Sequence, residues 1–278
     1  MSNKFTLITG AAGFLGLYHC ISLLEMNKSI IIIDIDKKKL FNLKKKLLIK
    51  FKDKKIHDYK IDITNEKQII KLKKILKKKN IFIDSIINNA AIDAIPNKNT
   101  DQWTFVDVKQ WHKELDVSLL GAYLITKHFV KEMCKNKDGS IINIGSDLSV
   151  IAPNQKIYKK TFGNYIKPAT YSVIKHALLG MTKYFASLYG KYNVRVNMLS
   201  PGAIFINEKK SFNKKFVKEL ENIIPMEKLG SPYDLKGAIK FLISEDSLFI
   251  TGQNIIIDGG RTIIWYKLFL LKDIFNNI

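Results

Sequence analysis

The stretch "TLITGAAGFLG", Thr6 to Gly16, carries glycines at a spacing of three, Gly10, Gly13 and Gly16, with two alanines between the first pair. A β-forming run leads into it and an apolar, helix-length run leaves it, so it reads as the turn between a first strand and a first helix. Glycines there let backbone N–H groups approach a pyrophosphate, and the helix start adds its partial positive charge. Tight packing of a helix on a strand would also explain them. The next apolar run, "IIIIDID", favours the first reading. Its strand ends at Asp34, 18 residues after Gly16, near the spacing at which a carboxylate meets the ribose hydroxyls of an adenosine. Asp34 would repel a 2′-phosphate, and Ile35 stands where a cation would be wanted for one, so NAD is expected over NADP. A plain strand-end turn residue is the alternative for Asp34, and Asp36 lies one turn too far along to replace it.

Outward from this turn, short apolar runs alternate with amphipathic stretches. Strands are expected over Phe5–Ile8, Ile30–Ile33, Ile56–Ile61, Ser85–Ile87, Ser140–Ile144, Arg195–Leu199 and Asn254–Ile257, and helices over 14–27, 37–50, 66–79, 103–135, 170–191 and 233–244. Such alternation predicts an α/β fold, a parallel sheet with helices on both faces. There is no repeat or linker, and Pro96, Pro153, Pro168 and Pro201 fall where elements should start or stop, so one domain is the economical reading.

The net charge of +21 raises the question of nucleic acid, but only Arg195 and Arg261 of the 46 basic residues are arginine, the side chain that phosphate and base-edge recognition favours. The lysines also follow helix faces. Leu40, Leu43 and Leu47 in one stretch, and Ile69, Leu72 and Leu76 in another, mark apolar stripes that leave lysine in solvent. No specific nucleic-acid partner is expected. No apolar run is long enough to span a membrane, no signal-peptide pattern precedes the first strand, and Cys20 and Cys134 read as buried free thiols; a cytoplasmic protein is expected. His19, His57, His112, His128 and His176 have no metal-ligand spacing with nearby carboxylates, and no metal is assigned.

Two Tyr-x-x-x-Lys pairs occur, Tyr123/Lys127 and Tyr171/Lys175, where composition alone predicts about two by chance. Context distinguishes them. Tyr171 begins the helix that follows a strand ending at Ser146, whereas Tyr123 sits inside a helix with no serine before it.

Taken with "INNAA" (Ile87–Ala91), "KIDIT" around Asp62, "IINIGS", "YSVIK", "RVNMLSPG" and "TGQNIIIDGG", in that order of strands, the chain resembles the short-chain dehydrogenase/reductase family over about residues 5 to 260. The resemblance implies a single-domain, doubly wound Rossmann fold over residues 1–265, with a seven-stranded parallel sheet in the order 3-2-1-4-5-6-7. It implies a dinucleotide held by Gly10, Gly13, Phe14, Leu15, Gly16, Asp34, Asp62, Ile63, Asn89, Ala90, Ala91, Pro201, Gly202 and Ile204, together with Tyr171 and Lys175. Ser146, Tyr171 and Lys175 would be catalytic, with Ser118 where the family usually has an asparagine that anchors a water. A homodimer or homotetramer is implied as well.

The chemistry suits these residue types. Positions i and i+4 share a helix face, so Lys175 can address Tyr171. Free tyrosine titrates near 10, and its use as a base near neutrality asks for roughly 4 kcal/mol. A cation about 4 Å away supplies a term of that order. Tyr171 would then take a proton from a substrate hydroxyl or give one to a carbonyl, with Ser146 holding the oxygen.

Three features depart from the family pattern. The glycine spacing is that of its longer sugar-nucleotide branch, Ser118 replaces the usual asparagine, and 24 residues separate Ser146 from Tyr171, a longer segment than usual. That insertion, 147–170, with "KPATYSVIKHALLGMTKY" and "IPMEKLGSPYDLKGAIKFL", resembles the flagellin-modification protein A branch. The implied substrate is a sugar, sugar phosphate or nucleotide sugar. The insertion and the loop 203–228 are expected to form a polar lid, in which Lys209, Lys210, Lys214 and Lys215 meet a phosphate or stay solvated. Residues 266–278 read as a C-terminal extension docked on the body or on another subunit. A 3-oxoacyl-type or other small-carbonyl reductase and a non-enzymatic nucleotide sensor are the rival readings.

Overall fold

Ile30, Ile31, Ile32 and Ile33 are all fully buried in one strand, β2 (Ser29–Asp34). Successive side chains of a strand point to opposite faces, so four in a row require an apolar layer on each side. Ile31 and Ile33 enter one core with Phe5, Leu7, Leu72 and Phe129, while Ile30 and Ile32 enter another with Cys20, Leu40 and Leu242. The computed structural model describes residues 3–92, 106–163, 165–205 and 213–264.

The seven strands are β1 (Lys4–Thr9), β2, β3 (Ile56–Lys60), β4 (Phe82–Asn88), β5 (Gly139–Ile144), β6 (Val194–Pro201) and β7 (Asn254–Ile257). All pair in parallel in the order β3-β2-β1-β4-β5-β6-β7. One core is roofed by α3 (Glu66–Lys78), α5 (Gly121–Asn136) and α7 (Ala169–Tyr189), the other by α1 (Gly16–Glu25), α2 (Lys37–Lys50) and α9 (Lys236–Ile243). The strand order reverses between β1 and β4, and the carboxyl ends of the strands there open the crevice in which such sheets hold ligands.

The expected stripes are buried as read, Leu40, Leu43 and Leu47 on α2, and Ile69, Leu72 and Leu76 on α3. Asp36 caps α2, its carboxylate accepting from Lys39 N at 3.0 Å. The described part of the helix expected over 103–135 begins at α4 (Val108–Leu115) and is not continuous α-helix. A π-helical turn, Asp116–Leu120, joins α4 to α5. Two helices were not anticipated, α6 (Gln155–Phe162) in the insertion and α8 (Lys214–Glu221) in the following loop. Cys20 is buried, but Cys134, in the last turn of α5, is only half-buried.

A buried polar chain ties helices to the sheet. Asn88 Nδ2 donates to Asn143 Oδ1 at 2.9 Å and Asn143 Nδ2 to Thr182 Oγ1 at 2.9 Å, and Thr182 Oγ1 donates on to Leu178 O at 2.8 Å. Such a chain fixes the rotation of α7 against β5 in a way that interchangeable apolar contacts would not.

Candidate active site

The glycine turn leaves β1 with Gly10 at φ +58°, and a Cβ there would lie 2.7 Å from Ala90 Cα. At Gly16 a Cβ would lie 2.4 Å from Ala11 O, so the first turn of α1 sits against the chain that precedes it. No side chain caps the start of α1, with Leu15 at the N-cap position, and no acidic residue stands in its first turn. A helix start of this kind leaves N–H groups for an anion. Gly13 and Phe14 are exposed on the outer side of the turn.

Asp34 closes the crevice from β2. Its Oδ2 accepts from Ala12 N and its Oδ1 from Asp36 N, each at 3.0 Å. These two bonds fix the carboxylate while leaving it half-exposed, with acceptor capacity to spare for a diol. On the β4 side, Asn89 Nδ2 donates to Thr9 O at 3.1 Å and to Gly10 O at 2.9 Å, and Thr9 Oγ1 accepts from both Asn89 N and Ala90 N at 3.0 Å. Thr9, which the motifs did not single out, thus joins the ends of β1 and β4; Ala91 beyond them is exposed. His19, beneath the turn on α1, is buried, and burial pushes its imidazolium down to about 4, a hydrogen bond with the Asn89 side chain working the other way.

After β3, Asp62 Oδ1 accepts from Thr64 N at 2.9 Å and Thr64 Oγ1 at 2.7 Å. Ile63 is buried against the start of α5, where a Cβ on Gly121 would come within 2.5 Å of Ile63 Cδ1. Ser118, at the centre of the π-helical turn, is buried and its Oγ accepts from Ile92 N at 3.3 Å. π turns recur at functional sites because they break the regular ladder locally.

At the end of β5, Ser146 Oγ donates to Asp147 Oδ1 at 2.9 Å and accepts from Leu148 N at 3.2 Å. Asp147 in turn meets Arg261 Nη1 at 2.6 Å, both side chains buried. Burial pushes the Asp147 carboxyl up, and the Arg261 guanidinium opposes it. Lys175 is buried, and its Nζ donates to Ile144 O at 3.0 Å, which fastens the ammonium to the strand leading to Ser146. The same Nζ lies 5.5 Å from the centroid of the half-buried Tyr171 ring. The Tyr171/Lys175 pair therefore stands with Ser146 at the carboxyl edge of the sheet. The other pair does not. Tyr123 is exposed and stacks on Phe185 at 6.1 Å between centroids, and Lys127 pairs with Glu66 at 2.9 Å.

Pro201 ends β6, Gly202 N donates to Ile257 O at 2.9 Å, and Ile204 bridges Gly230. The insertion and the loop beyond Gly202 meet through an apolar cluster and an ion pair between Lys160 and Glu219. Ile157, Phe216 and Leu220 are buried together, and the Phe216 ring lies 5.4 Å from Tyr158 and 5.0 Å from Phe162. Where a polar lid is expected, the described parts of the two segments pack around an apolar centre, and Lys214 and Lys215 are exposed. Lys209, Lys210 and the extension 266–278 lie outside the described residues.

Among the described residues, no three His, Cys, Asp or Glu side chains cluster as a metal would require, and no helix is long and apolar enough to cross a membrane.

Residues 10–262 match the family model described as enoyl-(acyl carrier protein) reductase. Over 95% of both chains, the protein is 27% identical to the NAD-dependent glycerol dehydrogenase of Listeria innocua. It is 29% identical to a 3-oxoacyl-(acyl-carrier-protein) reductase of Thermotoga maritima over 95% of this chain and 99% of the relative. To the post-translational flagellin modification protein A of Campylobacter coli it is 28% identical, over 94% and 98%. Among solved structures, 4-hydroxyisoleucine dehydrogenase complexed with NADH is similar, with TM-score 0.79 and 30% identity, covering 95% of this chain and all of that one (100%).

Proposed function

The chain belongs to the short-chain dehydrogenase/reductase family as an NAD(P)-dependent oxidoreductase acting on CH–OH groups, and we propose that it prefers NAD and acts on a sugar, sugar phosphate or nucleotide sugar. A place in flagellin-glycan or surface-polysaccharide precursor synthesis is part of this reading, supported by the likeness to the Campylobacter coli protein. NAD is favoured by Asp34, a fixed and half-exposed carboxylate that would repel a 2′-phosphate. The start of α1 would take the pyrophosphate, with Asp62 and Ile63 on the adenine side and Asn89 through Ala91, Pro201, Gly202 and Ile204 along the nicotinamide half.

The observation that carries the enzymatic reading is the fastening of Lys175 Nζ to Ile144 O, with Tyr171 on the same helix face beside it. A bound nicotinamide would supply the hydride acceptor for the alcohol carbon, or the donor for the carbonyl. Tyr171 then accepts the hydroxyl proton, or donates it in the reverse direction, at its phenol oxygen. Lys175 favours the anionic phenol by its charge. Ser146 orients the substrate oxygen, its hydroxyl turning from Asp147 to the substrate, and Ser118 would hold the water that carries the proton onward.

The test is NADH formation across a panel of sugars, sugar phosphates and nucleotide sugars, with Tyr171→Phe as control. A loss of about 10²-fold or more in the variant, with NAD binding kept, is expected. The likeness to the Thermotoga maritima enzyme favours a second reading, reduction of a 3-oxoacyl thioester. Faster turnover of such a thioester with NADPH than of any sugar with NAD would replace the first reading by the second.

A further inference from the structure

Lys167 belongs to the insertion and stands four residues ahead of Tyr171, yet it does not extend into solvent. It is 9% exposed, and its Nζ lies 4.1 Å from the centroid of the Tyr171 ring, nearer than Lys175 at 5.5 Å. Its backbone is held on both sides by one side chain. Lys167 N donates to Gln155 Oε1 at 2.9 Å, and Gln155 Nε2 donates to Lys167 O at 3.0 Å. Gln155 opens α6, which is anchored to α8 through Ile157 and Phe216. The backbone that carries the ammonium is thus held by contacts that span the insertion and the loop beyond β6.

A cation over an aromatic face is attracted by the ring electrons, and the attraction grows when the phenol loses its proton and the ring carries negative charge. Resting on the reading of Tyr171 as the proton-transfer group, we propose that Lys167 is a positioning residue, a second ammonium that holds the Tyr171 ring and stabilises its phenolate. Several other charged groups on α7 and the elements packed against it are engaged elsewhere. Asp147 is paired with Arg261, and Glu114 accepts from Gln110 Nε2 at 2.7 Å. His176 bonds its own helix at Ser172 O, and Arg195 donates to Leu242 O and Ser247 Oγ. Lys183, Tyr184 and Tyr189 on α7, Lys109, His112 and Lys113 on α4, Asp116 in the π-helical turn and Lys191 and Tyr192 after α7 complete the set among the described residues.

The experiment is a spectroscopic tyrosinate titration of the full chain, with the Tyr171 component taken as the difference from Tyr171→Phe. In a Lys167→Met background the midpoint of that component is expected to rise by about 1 unit or more, whereas Lys167→Arg keeps it near wild type. An unchanged midpoint in Lys167→Met, or an equal rise in Lys167→Arg, overturns the proposal. Lys167→Gln serves if circular dichroism shows the methionine variant unfolded. No substrate enters this measurement, so it fails separately from the catalytic reading, which fails if Tyr171→Phe turns over like wild type.

Discussion

Arg261 and Asp147 are 114 residues apart and share a buried ion pair, Nη1 to Oδ2 at 2.6 Å. The pair joins the turn after the last strand to the residue that receives the Ser146 hydroxyl. Removing one partner leaves an uncompensated charge in the interior, which costs about 3–5 kcal/mol. Arg261→Met should destabilise by that amount in urea denaturation, and Asp147→Asn added to it should cost less than the two single changes summed. Strict additivity would show that the two groups act independently.

Asp34 is predicted to set cofactor choice. Asp34→Asn removes the negative charge proposed to meet a ribose diol and would relieve the repulsion of a 2′-phosphate. Fluorescence titration should show NADH binding about tenfold weaker and NADPH binding tighter than in wild type. An unchanged ratio of the two affinities would remove Asp34 from that role.

His19 predicts a pH dependence of stability. Folded, its imidazole stays neutral down to about 4, whereas in the unfolded chain it takes a proton near the ordinary 6.5. The neutral buried form is therefore supported above 6.5, and stability is lost as pH falls from there towards 4. The loss is on the order of 3 kcal/mol. Denaturation at neutral and mildly acidic pH should show a shallower decline for His19→Gln than for wild type; parallel declines would assign the acid sensitivity to other groups.

Phe216 holds α6 and α8 together, and Phe216→Ala should release both without unfolding the sheet. Truncating a buried phenylalanine costs about 3–5 kcal/mol. Hydrogen exchange should accelerate over 155–162 and 214–221 while β1, β4 and β5 keep their protection. Uniform loss of protection across the chain would mean that the two helices are part of the global folding unit.

The sheet and its glycine turn were legible in the sequence because their signals are local. An isoleucine run, a three-residue glycine spacing and leucine stripes on α2 and α3 each declare a periodicity within a few residues. What was missed depends on distant partners. "QKIYKKTF" and "KKFVKELE" are eight-residue, lysine-rich segments that look solvated, and they become α6 and α8 only because Ile157, Tyr158 and Phe162 meet Phe216. The Asp147–Arg261 pair has no local signature at all. Lys167 is hidden among many lysines, and only the fold brings it onto the Tyr171 ring. The π-helical turn at Ser118 was read as uninterrupted helix because its apolar spacing differs from the regular one by a single residue.

The mutual embrace of α6 and α8 has a consequence for engineering. The two segments are separated by all of α7 and β6, yet the Phe216 ring of one packs on the Tyr158 and Phe162 rings of the other. Transplanting either segment alone would leave an apolar face uncovered, so the two are to be moved together. Grafting this region onto another member of the fold is thus an exchange of two cassettes rather than one.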